Sequence, residues 1–164
     1  MSGQVQKIVI NASPLIALIK SQQVRFLPQL FQEILLPAAV WQEVMAKPDD
    51  FAAIQLQKLD WVKYIDNILV IPTVKAWDLG KGESEVISLA QQRSGYGVVI
   101  DDRSARNCAK TLNIPTLGTG AILILAKQVG LINQIKPGIQ ALQEAGLYLS
   151  SNLVDILLSQ AGES

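Results

Sequence analysis

In the middle of the chain an apolar run ends in two carboxylates, Val98-Val99-Ile100-Asp101-Asp102, and continues as Arg103-Ser104-Ala105-Arg106. Three consecutive apolar residues of this kind suit a buried strand of a parallel sheet, and Ser104 to Leu112 has the composition of a helix. The acids therefore stand at the carboxyl end of a strand, the edge where open α/β sheets place ligands and chemistry. Charge beside a dry core is costly unless something compensates it, and a divalent metal is one compensator. A helix-capping Asp with a solvated neighbour is the plain structural alternative. Successive strand side chains point to opposite faces. One acid is thus expected to ligate, and the other to cap the next helix or support it from behind. Geometry at this stage leaves open which does which.

Two further segments bring polar groups to the ends of apolar elements. In Val9-Ile10-Asn11-Ala12-Ser13 an amide closes the first apolar run and a hydroxyl follows. In Gly80-Lys81-Gly82-Glu83-Ser84-Glu85-Val86-Ile87-Ser88-Leu89-Ala90 a glycine pair precedes two acids and an apolar stripe. Acids grouped at one sheet edge would make an oxygen-rich site of the kind Mg²⁺ and Mn²⁺ take. At helical spacing Val86, Ile87 and Ala90 share a face with Glu83, whereas Glu85 lies off it. Glu83 is therefore the favoured candidate, with Glu85 behind it as a solvated residue.

The elements that must position these groups follow from the apolar pattern. Gln4 to Asn11 reads as the first strand. Ser13 is expected to cap the following helix, with Pro14 at its first position. Leu27 to Phe31 reads as a short helix. Ile34 to Leu36 is a strand closed by Pro37, which opens the helix Ala38 to Met45. Phe51 to Leu59 is helical, Trp61 to Ile65 a strand and Lys75 to Leu79 a short helical piece. The helix Glu83 to Gln92 leads to the acid-bearing strand. Ile114 to Leu117 is a strand, Gly118-Thr119-Gly120 a turn, and Ala121 to Val129, Gly138 to Ala145 and Asn152 to Ala161 are helices. This alternation predicts a three-layer α/β/α fold with a mostly parallel central sheet and right-handed crossovers.

The chain has 164 residues, which fits one domain spanning 1–164, with helices from about 130 onward as a C-terminal extension. Histidine is absent, which removes His-based zinc sites, Ser-His-Asp triads and imidazole bases together. A lone Cys108 forms no intrachain disulfide and favours a reducing, cytoplasmic setting. It reads as a small buried residue, since no imidazole is present to activate it. The first residues show neither a long apolar core nor a cleavage motif, so no signal peptide is expected. The longest apolar stretch, Ala121 to Ala126, is far below the roughly 20 residues a spanning helix needs. Basic and acidic residues balance at 14 each, so no overall positive field draws nucleic acid to this chain. A local set, Arg103, Arg106 and Lys110 on one helix, is left as a candidate phosphate contact. A phosphoacceptor receiver-type domain is excluded, because its paired acids would follow the first strand, where this chain has Asn11-Ala12.

Taken in order, the motifs resemble the PIN-domain family, in a PIN-like branch related to the toxin nucleases of toxin–antitoxin modules. The resemblance rests on Asn11-Ala12-Ser13-Pro14-Leu15-Ile16, on Pro37-Ala38-Ala39-Val40-Trp41-Gln42-Glu43-Val44, on Gly80 through Ala90, and on Ile100 through Arg106. It continues through Gly118-Thr119-Gly120 and the helices beyond, covering nearly the whole chain. It implies a Mg²⁺- or Mn²⁺-dependent ribonuclease acting on single-stranded RNA, with an antitoxin protein as a possible partner. Carried over by position, the acidic cluster is Asn11, Glu43, Glu83 or Glu85, and Asp102, with Asp101 as the other candidate for the last place. Ser13 becomes an accessory group that orients a metal water. The departure is Asn11, where active members have Asp; an amide oxygen still ligates a cation, but a negative charge is lost and metal affinity should fall. A catalytically silent PIN-like module, binding nucleic acid or protein, is the rival reading. Apolar Leu153, Ile156, Leu157 and Leu158 near the end are expected to form a homodimer face or a groove for an antitoxin. Trp41, Trp61 and Trp77 read as core or interface residues rather than base-stacking platforms.

Overall fold

The computed structural model describes residues 5–163; Gln4, expected to begin the first strand, lies outside them. Five strands form one parallel sheet: β1 (Lys7–Ile10), β2 (Glu33–Pro37), β3 (Val62–Ile65), β4 (Tyr96–Val99) and β5 (Thr116–Leu117), in the order β3-β2-β1-β4-β5. The chain grows outward from β1 to β3 on one side, then returns to place β4 against the other edge of β1. The strand order therefore reverses between β1 and β4, and the crevice outside the carboxyl ends of those two strands is where such sheets hold ligands. The apolar runs at the centre explain the arrangement. Ile8, Val9, Ile10, Leu35, Leu36, Val98 and Val99 are wholly buried, as strands covered on both faces require.

Helices cover the sheet: α1 (Ala12–Lys20), α2 (Phe26–Leu30), α3 (Ala38–Val44), α4 (Phe51–Leu56), α5 (Pro72–Lys75), α6 (Lys81–Gln92), α7 (Arg103–Thr111), α8 (Thr119–Gln128), α9 (Lys136–Glu144) and α10 (Ser151–Gln160). Helices α5, α6 and α7 form one packed group, and α2, α8, α9 and α10 another, giving the three-layer α/β/α architecture. Helix α3 follows β2 without a loop and touches both α1 and α6 at the carboxyl edge of the sheet.

Several boundaries differ from the sequence-based expectation. Helix α1 begins at Ala12, so Asn11 rather than Ser13 is its N-cap, and Leu15 N–H donates to the Asn11 carbonyl at 3.2 Å. Pro14 then sits inside the first turn, where its missing N–H costs nothing because those positions have no helical acceptor. Thr119 and Gly120 belong to α8 rather than to a turn, and the short helix α5 lies at Pro72–Lys75, before rather than within Lys75 to Leu79. In that last case Pro72 at the first helical position defines the start. No helix among the described residues is long and apolar enough to cross a membrane.

Candidate functional site

At the crevice between β1 and β4 the structure brings together some of the polar residues singled out in the sequence and not others. Asn11 leaves β1, and its N–H donates to the Val99 carbonyl at 3.1 Å, which fixes it beside the end of β4. It is buried, yet its side chain makes no cap bond to α1. The start of α6 faces it. A methyl group added at Gly82 would lie 3.3 Å from Glu43 Oε1 and 3.5 Å from Asn11 Oδ1. Side-chain oxygens from β1 and α3 thus converge on one point beside the first turn of α6, and glycine leaves that point open.

Glu83 stands next to it, half-buried, in the first turn of α6, where its Oε1 accepts the Gly80 N–H at 3.2 Å. Gly80 has no side-chain oxygen to return the contact, so this is one half of a capping box. Burial pushes the Glu83 carboxyl above its ordinary range, and the neighbouring charges of Asp102 and Glu43 push it further; the Gly80 N–H partly offsets this. A cleft carboxyl raised by burial and by neighbouring carboxylates is a mark of a candidate functional site. Asp102 is exposed and is the N-cap of α7, its Oδ2 accepting the Ala105 N–H at 3.0 Å. Asp102 is therefore the acid of the pair that caps the next helix, and its charge also acts on Glu83.

Asp101 turns elsewhere. Its Oδ1 accepts the Thr119 N–H at 2.8 Å and its Oδ2 the Thr119 hydroxyl at 2.5 Å, so it secures the start of α8. Glu85 is the clear correction. Far from being solvated, it is 7% exposed and its Oε1 accepts the Ala39 N–H of α3 at 3.0 Å. The reason is that α6 is covered on nearly every side, by α3 as well as by the sheet, so the face off the apolar stripe is also interior.

Ser13 is exposed and lines, with Glu43, Lys20 and Leu147, a surface cavity of about 390 Å³ that adjoins the crevice. Arg103 and Lys110 are exposed on α7, while the half-buried Arg106 donates from Nη1 to the Ile100 carbonyl at 3.1 Å, which holds it against the sheet edge. Cys108 is fully buried and burial pushes its thiol up, as a packing residue requires. Trp41 meets Tyr64 edge-on, with ring centroids 5.9 Å apart. Two residues of the site went unrecognised in the sequence, Gly82 as the open point and Thr119 as the holder of Asp101. Only the glycines flanking each offered a signal.

Carboxylate and amide oxygens of this kind fit a hard divalent cation, which keeps several waters in its shell. Among the described residues no three acids stand close enough together to hold an ion. Asn11 and Glu43 are the two residues whose oxygens face one open point, beside Gly82.

Residues 7–163 match the family model for the PIN domain. The chain belongs to the PIN-domain family, and its five-stranded parallel sheet with helices on both sides is the fold that family predicts. Among curated proteins, none matches it.

Proposed function

We propose that this protein is a Mg²⁺- or Mn²⁺-dependent endoribonuclease that hydrolyses phosphodiester bonds of single-stranded RNA, as the toxin of a toxin–antitoxin pair. The observation that supports the reading is that Glu43 Oε1 and Asn11 Oδ1 both face Gly82 at the start of α6, next to Glu83, whose carboxyl is raised by burial and by the charges of Asp102 and Glu43, in a member of the PIN-domain family. A bound divalent cation supplies charge neutralisation at the phosphate and acidifies the attacking water. The chain's own part is to gather the negative charge that attracts the cation and to fix it. Glu83 and Asp102 come from adjoining helix starts, α6 and α7, and Glu43 and Asn11 close the opposite side. Ser13, at the crevice mouth, orients water. Arg103 and Lys110, exposed on α7, contact RNA phosphates and offset a net charge of zero. Exposed Leu153 and Ile156 on α10 serve the homodimer or the antitoxin contact.

Cleavage of a mixed single-stranded RNA pool with Mn²⁺, beside the Asp102→Ala variant, tests the reading. Metal-dependent cleavage lost in the variant supports it. No cleavage by the wild type, with RNA or protein still bound, would favour the silent module, for which the amide at Asn11 is the specific argument.

A further inference from the structure

We infer that Glu85 is a positioning residue that sets the placement of Glu43, rather than a metal ligand; the inference rests on the reading of Asn11, Glu43, Glu83 and Asp102 as the metal-holding set. Helix α3 starts immediately after β2, and its N-cap is Pro37, a residue with no side-chain oxygen. The first four N–H groups of a helix have no partner within it. A local cap is therefore missing, and Glu85, 46 positions along the chain, supplies one from α6 to the Ala39 N–H. A buried carboxylate at a helix N-terminus meets both the free N–H and the positive end of the helix dipole.

The geometry makes this tie specific to the site. Glu43 lies one turn along from Ala39 on α3, and its Oε1 faces Gly82, only three positions before Glu85 on α6. One end of the α3–α6 contact is thus pinned by Glu85 and the other carries Glu43 to the open point beside Gly82. A shift of α3 along α6 would move Glu43 off that point without altering any candidate ligand. The buried setting of Glu85 also separates it from Glu83, which is half-buried and takes charge from Asp102 and Glu43.

The test compares Glu85→Gln, which keeps an acceptor oxygen for Ala39, with Glu85→Ala, which removes it. Two readouts are taken: Mn²⁺ binding by calorimetry, and amide hydrogen exchange of residues 38–44. Glu85→Ala is expected to speed exchange in α3 and to weaken Mn²⁺ binding roughly 10- to 100-fold, the usual loss when a group supporting a ligand is removed. Glu85→Gln should hold both near wild type. In a Glu43→Gln background, Glu85→Ala should weaken binding little further, since the two act through one residue. If Glu85→Gln binds Mn²⁺ as poorly as Glu85→Ala, the charge itself is needed and Glu85 is a ligand, which overturns the inference. Unchanged exchange in α3 for a folded Glu85→Ala also overturns it. Absence of Mn²⁺ binding by the wild type would sink the functional reading first, and would leave the exchange result reporting a purely structural cap.

Discussion

Asp101 gives both of its carboxylate oxygens to a single residue, Thr119, one to the backbone N–H and one to the hydroxyl. The consecutive acids at the end of β4 are thereby separated in role, since Asp102 faces Glu83 while Asp101 joins β4 to the start of α8. Thr119 is fully buried, so its donors lose their partner if Asp101 is removed. Asp101→Ala is expected to destabilise the fold by about 2 kcal/mol, the cost of leaving buried donors without a charged acceptor. Asp102→Ala should cost about 1 kcal/mol, the usual value of a lost N-cap, yet abolish Mn²⁺-dependent cleavage. Urea denaturation beside the RNA assay separates them, and a larger stability loss for Asp102→Ala would reverse the assignment.

Glu83 should make the metal-free protein less stable as pH rises. Its carboxyl is held above the ordinary value of 4.5 by burial and then by Asp102 and Glu43. Below 4.5 the group is protonated in folded and unfolded chains alike and costs nothing. As pH rises through the ordinary range the unfolded chain ionises first, so stability falls until the raised folded value is passed, and the penalty then stays constant. Glu83→Gln does not ionise. Its melting temperature should match the wild type near pH 4 and exceed it at pH 7. An offset of the same size at both pH values would rule out this electrostatic origin.

The strand cores and the family motifs were legible because they are local. The apolar residues Ile8-Val9-Ile10 and Val98-Val99 are the strands they look like, and the polar residues beyond their ends, Asn11 and the Asp101-Asp102 pair, follow from that. What escaped depends on contacts between distant segments. The role of Glu85 rests on Ala39, and that of Asp101 on Thr119 at the start of another helix. Helical periodicity assigns one apolar stripe to a helix, so it misreads a helix such as α6 that is covered by a sheet on one side and by α3 on another. Glycines are silent for a related reason. Gly82 matters by the side chain it lacks, and only the positions of Glu43 and Asn11 show what that absence opens.

The seat of α10 on α8 should be sensitive to one methyl group. A Cβ at Gly120 would lie 2.5 Å from Leu157 Cδ1 and 2.9 Å from Cδ2, and Leu157 is the buried residue of α10. Gly120→Ala is expected to destabilise by about 1–3 kcal/mol through overpacking. Adding Leu157→Ala should recover part of that loss, so the pair is strongly non-additive. Additive costs in chemical denaturation would mean that the helices relax around the methyl group instead of clashing with it.

The amide at Asn11 sets the last prediction, because it is the one member of the converging set that brings no charge. Its Oδ1 faces the same point as Glu43 Oε1 beside Gly82, so a carboxylate there would need no rearrangement of the backbone. Asn11→Asp is isosteric and adds a negative charge on the side of Gly82 that Glu43 also faces. In the absence of metal this raises like-charge repulsion, and the variant should melt at a lower temperature than the wild type at pH 7. With a divalent cation present the same charge becomes an attraction, worth about tenfold in affinity for each 1.4 kcal/mol it contributes. Calorimetry should therefore show tighter Mn²⁺ binding by Asn11→Asp, and Mn²⁺ should raise its melting temperature by more than that of the wild type. Cleavage of single-stranded RNA should rise with the affinity. If Mn²⁺ binds both proteins equally, Asn11 is not among the groups that hold the ion, and only its backbone, as the N-cap of α1, has a role there.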